Sequence, residues 1–259
     1  MRLAVVGHIE WVEFVPVPRL PEGGDVIHAG EVFAKAAGGG GVVAGVFAEL
    51  GAEVDFFTAL GEDQNGHAAK EQLERKGIRM HVAWRSAQPT RRAFTLLEDG
   101  GERTIVTIGT RLDPLGSDEL DWGRLGHADG VYVTAGDPAA LERARHARVL
   151  VASPRATAAL SDGDAVIDAL IYSARDRDEC AWAERFAERA RLLVETEGAQ
   201  GGHFTGPPRA VGQPRRLPAH PRTRMAAVTR SRPGSRSHSP KVRRRARPQT
   251  SERGKAPAA

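Results

Sequence analysis

Short apolar runs ending in glycine, each followed by a stretch with helical spacing, recur along the first two hundred residues and admit few folds. The first, RLAVVG, closes on Gly7 and carries β-branched residues inside, as a strand buried on both faces does. GGGGVVAGVFAELGA then sets four glycines before a helix. In it Val43, Phe47 and Leu50 share one face, and Gly51 is placed to cap the C-terminus. EVDFFTALG predicts a strand, and NGHAAKEQLERKGI a helix ending at Gly77 with Ala68, Leu73 and His67 as inward candidates. Further on, GVYVTAG, RVLVAS, the end of DAVIDALIYS, and RLLVETEG read as strands, with DPAALERARHA and ECAWAERFAERA as helices. Such alternation predicts an α/β domain on a doubly wound parallel sheet.

One segment breaks the alternation. In RRAFTLLEDGGERTIVTIG two strand-like runs flank EDGGER, a hairpin signal. VPVPRLPEGGDVIHAGEVFAKA is interrupted by Pro and Gly and offers only short strands. Together they predict a small accessory sheet.

Charge divides the chain. The formal net charge is +4 and the pI about 9.6. From Arg209 onward there are 15 Lys and Arg against the single acid Glu252, so 22 of the 37 basic and 32 of the 33 acidic residues precede it. An acidic body thus runs into a basic tail. The one cysteine, Cys180, excludes an internal disulfide and fits a reducing cytoplasm. No apolar run approaches the roughly 20 residues of a membrane span, and MRLAVVGHIE is too short a run for a signal peptide. A cytoplasmic protein without membrane contact is the expectation.

The candidate site residues lie where strands end. Gly38, Gly39 and Gly40 at a helix start let a ligand approach backbone N–H groups, or simply form a flexible connection. Asp63 in LGEDQNG either caps the next helix or points into the cleft at the carboxyl ends of the strands. In GHIEWVEF, Glu10 and Glu13 could each accept two hydroxyl hydrogen bonds, or be solvated loop acids, and His8 reads as structural.

The order of VVG, the glycine-rich helix start, LGEDQNG, KGI and a hairpin with GERTI resembles the ribokinase-like (PfkB) carbohydrate kinases, over residues 1 to about 206. LLVETEGAQGG is similar to the family's late strand, with Thr196, Gly198 and Gly201 at the positions that lead toward the nucleotide. The resemblance implies a three-layer αβα sandwich with a small β lid near residues 12–36 and 91–109, truncated at its C-terminal part. It implies transfer of the ATP γ-phosphoryl to a sugar or nucleoside hydroxyl with Mg2+, and a homodimer through the lid. Glu10, Glu13, Gly38, Gly39, Gly40 and Asp63 fall on the sugar side. The chain departs from the family at Val42, where an Asn is usual, and after DALIYS, where Ser173, Arg175 and Glu179 stand without the N-x-x-E pattern.

The family's D-T-x-G-A-G-D-x-F-x-x-G motif has no match in residues 207–259, so the expected Asp base is absent from this chain and no catalytic residue is assigned. That motif supplies backbone donors at a helix start for the transferring phosphoryl, and a base for the attacking hydroxyl. Yet TRMAAVTRSRPGSRSHSP, residues 223–240, is compatible with codons that read D-A-Y-G-C-G-D-S-F-A-A-G-L-T-F-A-L-A from one nucleotide earlier. ATG followed by GCN fixes one glycine of that string outright. The expectation is a frame slip near Pro207 to Val211, and a tail, 207–259, that is a disordered out-of-frame product. The alternatives are a sugar- or nucleotide-binding module without turnover, and a tail that holds nucleic acid non-specifically through phosphate contacts alone.

Overall fold

The apolar runs become strands in the computed structural model, which describes residues 1–98, 102–162, 164–206 and 215–217. The chain opens with β1 (Arg2–Val6), β2 (Glu10–Val17) and β3 (Phe33–Ala37), then α1 (Gly38–Glu49), β4 (Glu53–Gly61) and α2 (Gln64–Glu74). Next come β5 (Arg79–Arg85), β6 (Arg92–Glu98), β7 (Arg103–Ile108) and β8 (Gly130–Val133). Then follow α3 (Pro138–Ala144), β9 (Leu150–Ala152), α4 (Thr157–Ser161), β10 (Ala169–Ser173) and α5 (Arg177–Phe186). β11 (Leu193–Thr196), β12 (Gly202–Thr205) and β13 (Arg215–Leu217) complete the described strands.

The main sheet has the order β13-β12-β11-β10-β9-β8-β1-β4-β5. It is parallel from β11 to β5, with β12 and β13 added antiparallel. A second, four-stranded sheet, β3-β2-β6-β7, is the expected accessory sheet, and β6 and β7 pair antiparallel as the hairpin signal required. The hairpin turn at 99–101 and the tail outside 215–217 lie beyond the described residues, the stretch expected to hide the shifted motif among them. β13 falls past the expected boundary at residue 206.

Side chains alternate across the strands and feed two cores. Ala4, Val6, Val131, Val133, Leu150, Ala152 and Leu170 point to one face, where α3, α4, α5 and a 3-10 turn at Trp122–His127 cover them. Val5, Val54 and Phe56 point to the other, under α1 and α2. The described helices on β8–β11 therefore cover one face. On the opposite face Tyr132, Val151, Ile171 and Val194 stay half-buried. Among the described residues no helix is long and apolar enough to cross a membrane.

The helix faces differ from expectation. α1 turns Gly40, Gly41, Ala44 and Gly45 inward, leaves Val43 and Phe47 half-buried, and exposes Leu50. Its small residues let the backbone come so near the sheet that a Cβ on Gly40 would stand 2.7 Å from the Phe56 ring. α2 buries Gly66, Ala69 and Leu73, while His67 is exposed and leans on Trp84 at 4.5 Å. Gly51 and Gly77 end the two helices at φ 81°, the left-handed conformation expected of them.

Candidate active site

The connections from β1 and β8 leave in opposite directions, toward β4 on one side and β9 on the other. A crevice opens at such a switch point beyond the carboxyl ends of the strands. Gly7 and His8 follow β1, Thr134 follows β8, and the start of α1 closes the third side. The base of the accessory sheet reaches the same place, since Glu10 begins β2 and pairs with Ala37.

The glycines at the start of α1 are less open than a bare helix end. Gly39 N–H donates to His8 Nε2 at 3.3 Å, and Gly40 N–H to the His8 carbonyl at 3.1 Å. His8 thus satisfies two first-turn donors that a capping side chain would otherwise take. Gly38, at φ 75°, packs on Glu10, and a Cβ there would lie 3.0 Å from the Glu10 amide nitrogen. His8 thus has a structural part at the start of α1, and burial pushes its pKa down to about 3, with the charges of Arg111, Arg91 and Arg155 adding to the effect.

Those arginines arrive from three elements. Arg91 precedes β6 and its Nη1 lies 3.2 Å from Glu10 Oε1. Arg111 follows β7 and pairs with Asp113 at 2.8 Å. Arg155 follows β9 and is held by Asp176 and Glu179. Glu179 also accepts Ser173 N–H at 2.7 Å. Glu10 is half-buried; desolvation raises its pKa against the pull of Arg91 and Arg111. Sequence reading named none of these arginines. The only signal was position, three residues past a strand end for Arg111 and Arg155, and just before a strand for Arg91.

Other candidates take defined places. Glu13 lies in β2, bonded to Arg92 Nη2 at 2.6 Å. Asp63 caps α2: Oδ1 accepts Gly66 N–H and Oδ2 accepts Thr90 N–H, both at 2.7 Å. Its carboxyl is held below the usual range: burial opposes ionisation, but those backbone bonds outweigh it. Thr196 closes β11 and donates its hydroxyl to the Tyr172 carbonyl at 3.1 Å. Gly198 and Gly201, at φ 65° and 90°, make the turn that follows, and a Cβ on Gly198 would meet open space. Thr196, Gly198 and Gly201 stand beyond β11, apart in the sheet from the crevice between β1 and β8. No three His, Cys, Asp or Glu side chains gather into a metal-holding group among the described residues.

The layered α/β sheet with its small lid is the ribokinase-like fold, and it is shared with solved kinases. A ribokinase from Giardia lamblia superposes with TM-score 0.65 at 17% identity, covering 84% of this chain and 75% of its own. A microbiome-derived acarbose kinase gives TM-score 0.67 at 22%, covering 84% and 76%. Residues 1–201 match the pfkB family of carbohydrate kinases. A protein of Halopiger xanaduensis, named ATP-dependent ribose-1-phosphate kinase, is 30% identical over 223 residues, 80% of this chain and 74% of that one. The chain belongs to the pfkB carbohydrate kinase family, a family of ATP-dependent phosphotransferases.

Proposed function

We propose that this chain is the body of an ATP-dependent kinase for a phosphorylated sugar, with little turnover of its own because its phosphoryl-stabilising segment is encoded out of frame. The observation that carries the substrate class is the placement of Arg91, Arg111 and Arg155 at the ends of β6, β7 and β9, with Arg91 Nη1 3.2 Å from Glu10 Oε1, which itself lies 3.8 Å from His8 Nε2 at the switch point. Guanidinium forks match phosphate oxygens two at a time. Arg91 Nε is buried without a partner among the described residues, and desolvation raises the pKa of its carboxylate neighbour Glu10. The name of the Halopiger xanaduensis relative points the same way.

The sugar would lie over Gly38, Gly39 and Gly40, with Glu10, Glu13 and Asp63 at its margin. ATP would sit beyond β11 against Thr196, Gly198 and Gly201, where the absence of a side chain at Gly198 leaves room for it. Mg2+ would travel with the ATP phosphates and keep most of its waters, screening their charge. The half-buried strand face at Tyr132, Val151, Ile171 and Val194, which no described helix covers, supports a covering segment encoded in the other frame, since parallel sheets are covered on both sides. The single Cys180 supports a cytoplasmic setting.

Calorimetric titration tests the substrate class. Ribose 1-phosphate is expected to bind at least tenfold more tightly than ribose, and Arg91→Gln to close most of that gap, as loss of a charged hydrogen bond of about 1.5–3 kcal/mol requires. Equal affinity for the two sugars in the unaltered chain overturns this reading.

A lid-to-lid homodimer is part of the proposal. Ile105, Val106 and Ile108 of the edge strand β7 are exposed, 44–54% each, and an apolar edge strand invites pairing. Sedimentation should give a dimer for the parent chain and a monomer for Val106→Lys; a parent chain that sediments as a monomer removes this element.

A further inference from the structure

We infer that Thr134 and His8 form a two-donor seat for one neutral oxygen of the sugar, at the floor of the crevice between β1 and β8. The inference rests on the carbohydrate-kinase reading of that crevice and assigns residues that neither the family motifs nor the arginine cluster single out.

Thr134 is 4% exposed. Its backbone N–H donates to the Val6 carbonyl at 2.9 Å, which pins it beside β1. Its hydroxyl, however, has no hydrogen-bond partner among the described residues. Gly7 keeps the space around that hydroxyl clear, since a Cβ there would fall 2.1 Å from Thr134 Oγ1. His8 is the second group. Nε2 accepts the Gly39 N–H, so the neutral ring carries its proton on Nδ1. Nδ1 is also buried and without a partner among the described residues.

Both groups border one residue. A Cβ on Gly39 would lie 3.2 Å from His8 Cε1 and 3.5 Å from Thr134 Oγ1. Two buried hydrogen-bonding groups that could each donate, and that no described residue satisfies, border Gly39 where open α/β sheets take their ligands. A buried donor left unpaired costs free energy that an acceptor oxygen recovers. His8 remains uncharged at neutral pH because desolvation, then Arg111, Arg91 and Arg155, suppress its protonation. The seat therefore reads a hydroxyl or ring oxygen by hydrogen bonding, while the arginines read charge.

Thr134→Val, which keeps the shape of the side chain, tests this by titration with ribose, ribose 1-phosphate and inorganic phosphate. Affinity for both sugars is expected to fall about tenfold, about 1.4 kcal/mol, with phosphate binding unchanged. Thr134→Ser should restore it. Ligand-free Thr134→Val should melt no lower than the parent, because the hydroxyl it removes is unpaired. Unchanged sugar affinity would mean that the pair holds only a buried water, and a clear fall in Tm would mean that the hydroxyl is already satisfied; either overturns the inference. The two readings separate cleanly. If the parent binds ribose and ribose 1-phosphate equally, the phosphate reading fails, and the seat still stands or falls on Thr134→Val with ribose. If neither sugar binds, both fail.

Discussion

Adding one nucleotide to the gene between codons 207 and 211 is expected to raise phosphoryl transfer by at least about a thousandfold over the 259-residue chain. The magnitude follows from what the shifted frame supplies. G-C-G-D at a helix start presents successive backbone N–H groups to the transferring phosphoryl, and a single such donor elsewhere is worth roughly 10²–10³ in rate. The Asp that follows is placed to take the proton of the attacking hydroxyl, worth about 10²–10⁴. The two act as a unit, so their effects do not multiply, and the lower figure is the safer expectation. The same insertion continues the chain as F-A-A-G-L-T-F-A-L-A, an apolar segment of the kind the half-buried strand face lacks among the described residues. The frame-restored protein should therefore also bind less of a hydrophobic dye and melt higher. A coupled ATP-consumption assay with ribose 1-phosphate reads the first effect directly. The proposal is lost if the gene's shifted frame does not encode G-D-S-F-A-A-G, or if the restored chain is no faster than its parent.

Gly66→Ala is expected to cost about 3 kcal/mol, the upper end of the range for forced overpacking. A Cβ on Gly66 would stand 2.2 Å from the Gly61 carbonyl oxygen and 2.8 Å from Thr90 Oγ1. The first of these is backbone and cannot rotate away. The site is also a knot of hydrogen bonds: Gly61 N–H donates to Thr90 Oγ1 at 3.1 Å, and Asp63 holds Gly66 and Thr90 together. Moving α2 outward to admit a methyl group would pull on the end of β4 and on the entry to β6 at once. For a chain of this size, melting should drop by about 6–12 °C. Gly23→Ala is the control, since a Cβ there meets nothing within 4 Å. A Gly66→Ala chain that melts within a degree of the parent would show that the β4–α2 junction can open without cost.

That junction also marks what can be read from sequence. LGEDQNG places its glycines where backbone meets backbone, and its Asp where a helix needs a cap, so local spacing carried the reading. The strand–helix alternation, the β6–β7 hairpin, and the glycines ending α1 and α2 were legible for the same reason: each depends on neighbours in sequence. The inward faces of the helices were not. Periodicity favours large apolar residues such as Leu50, whereas α1 approaches through Gly40, Gly41, Ala44 and Gly45 and sends Leu50 to solvent. β5 and α4 were missed because RMHVAWR and TAALS carry charge or are too short to show a period. In the site, Glu10 meets Gly38 because β2 pairs with its neighbour β3, whereas Thr134 comes beside Gly7 and Gly39, and Arg155 onto the next strand, only because β8 pairs with β1 and β9 with β8. Sheet order, a property of the whole chain, creates that proximity.

Because His8 seals the opening turn of α1 with its own ring and carbonyl, the main chain there has little left to give a charged guest. On the proposed reading, discrimination among cargoes falls to a few exchangeable tips at strand ends, so a lineage built on this scaffold could trade one metabolite for another by editing those tips, with the helix, the lid and the sheet beneath left undisturbed.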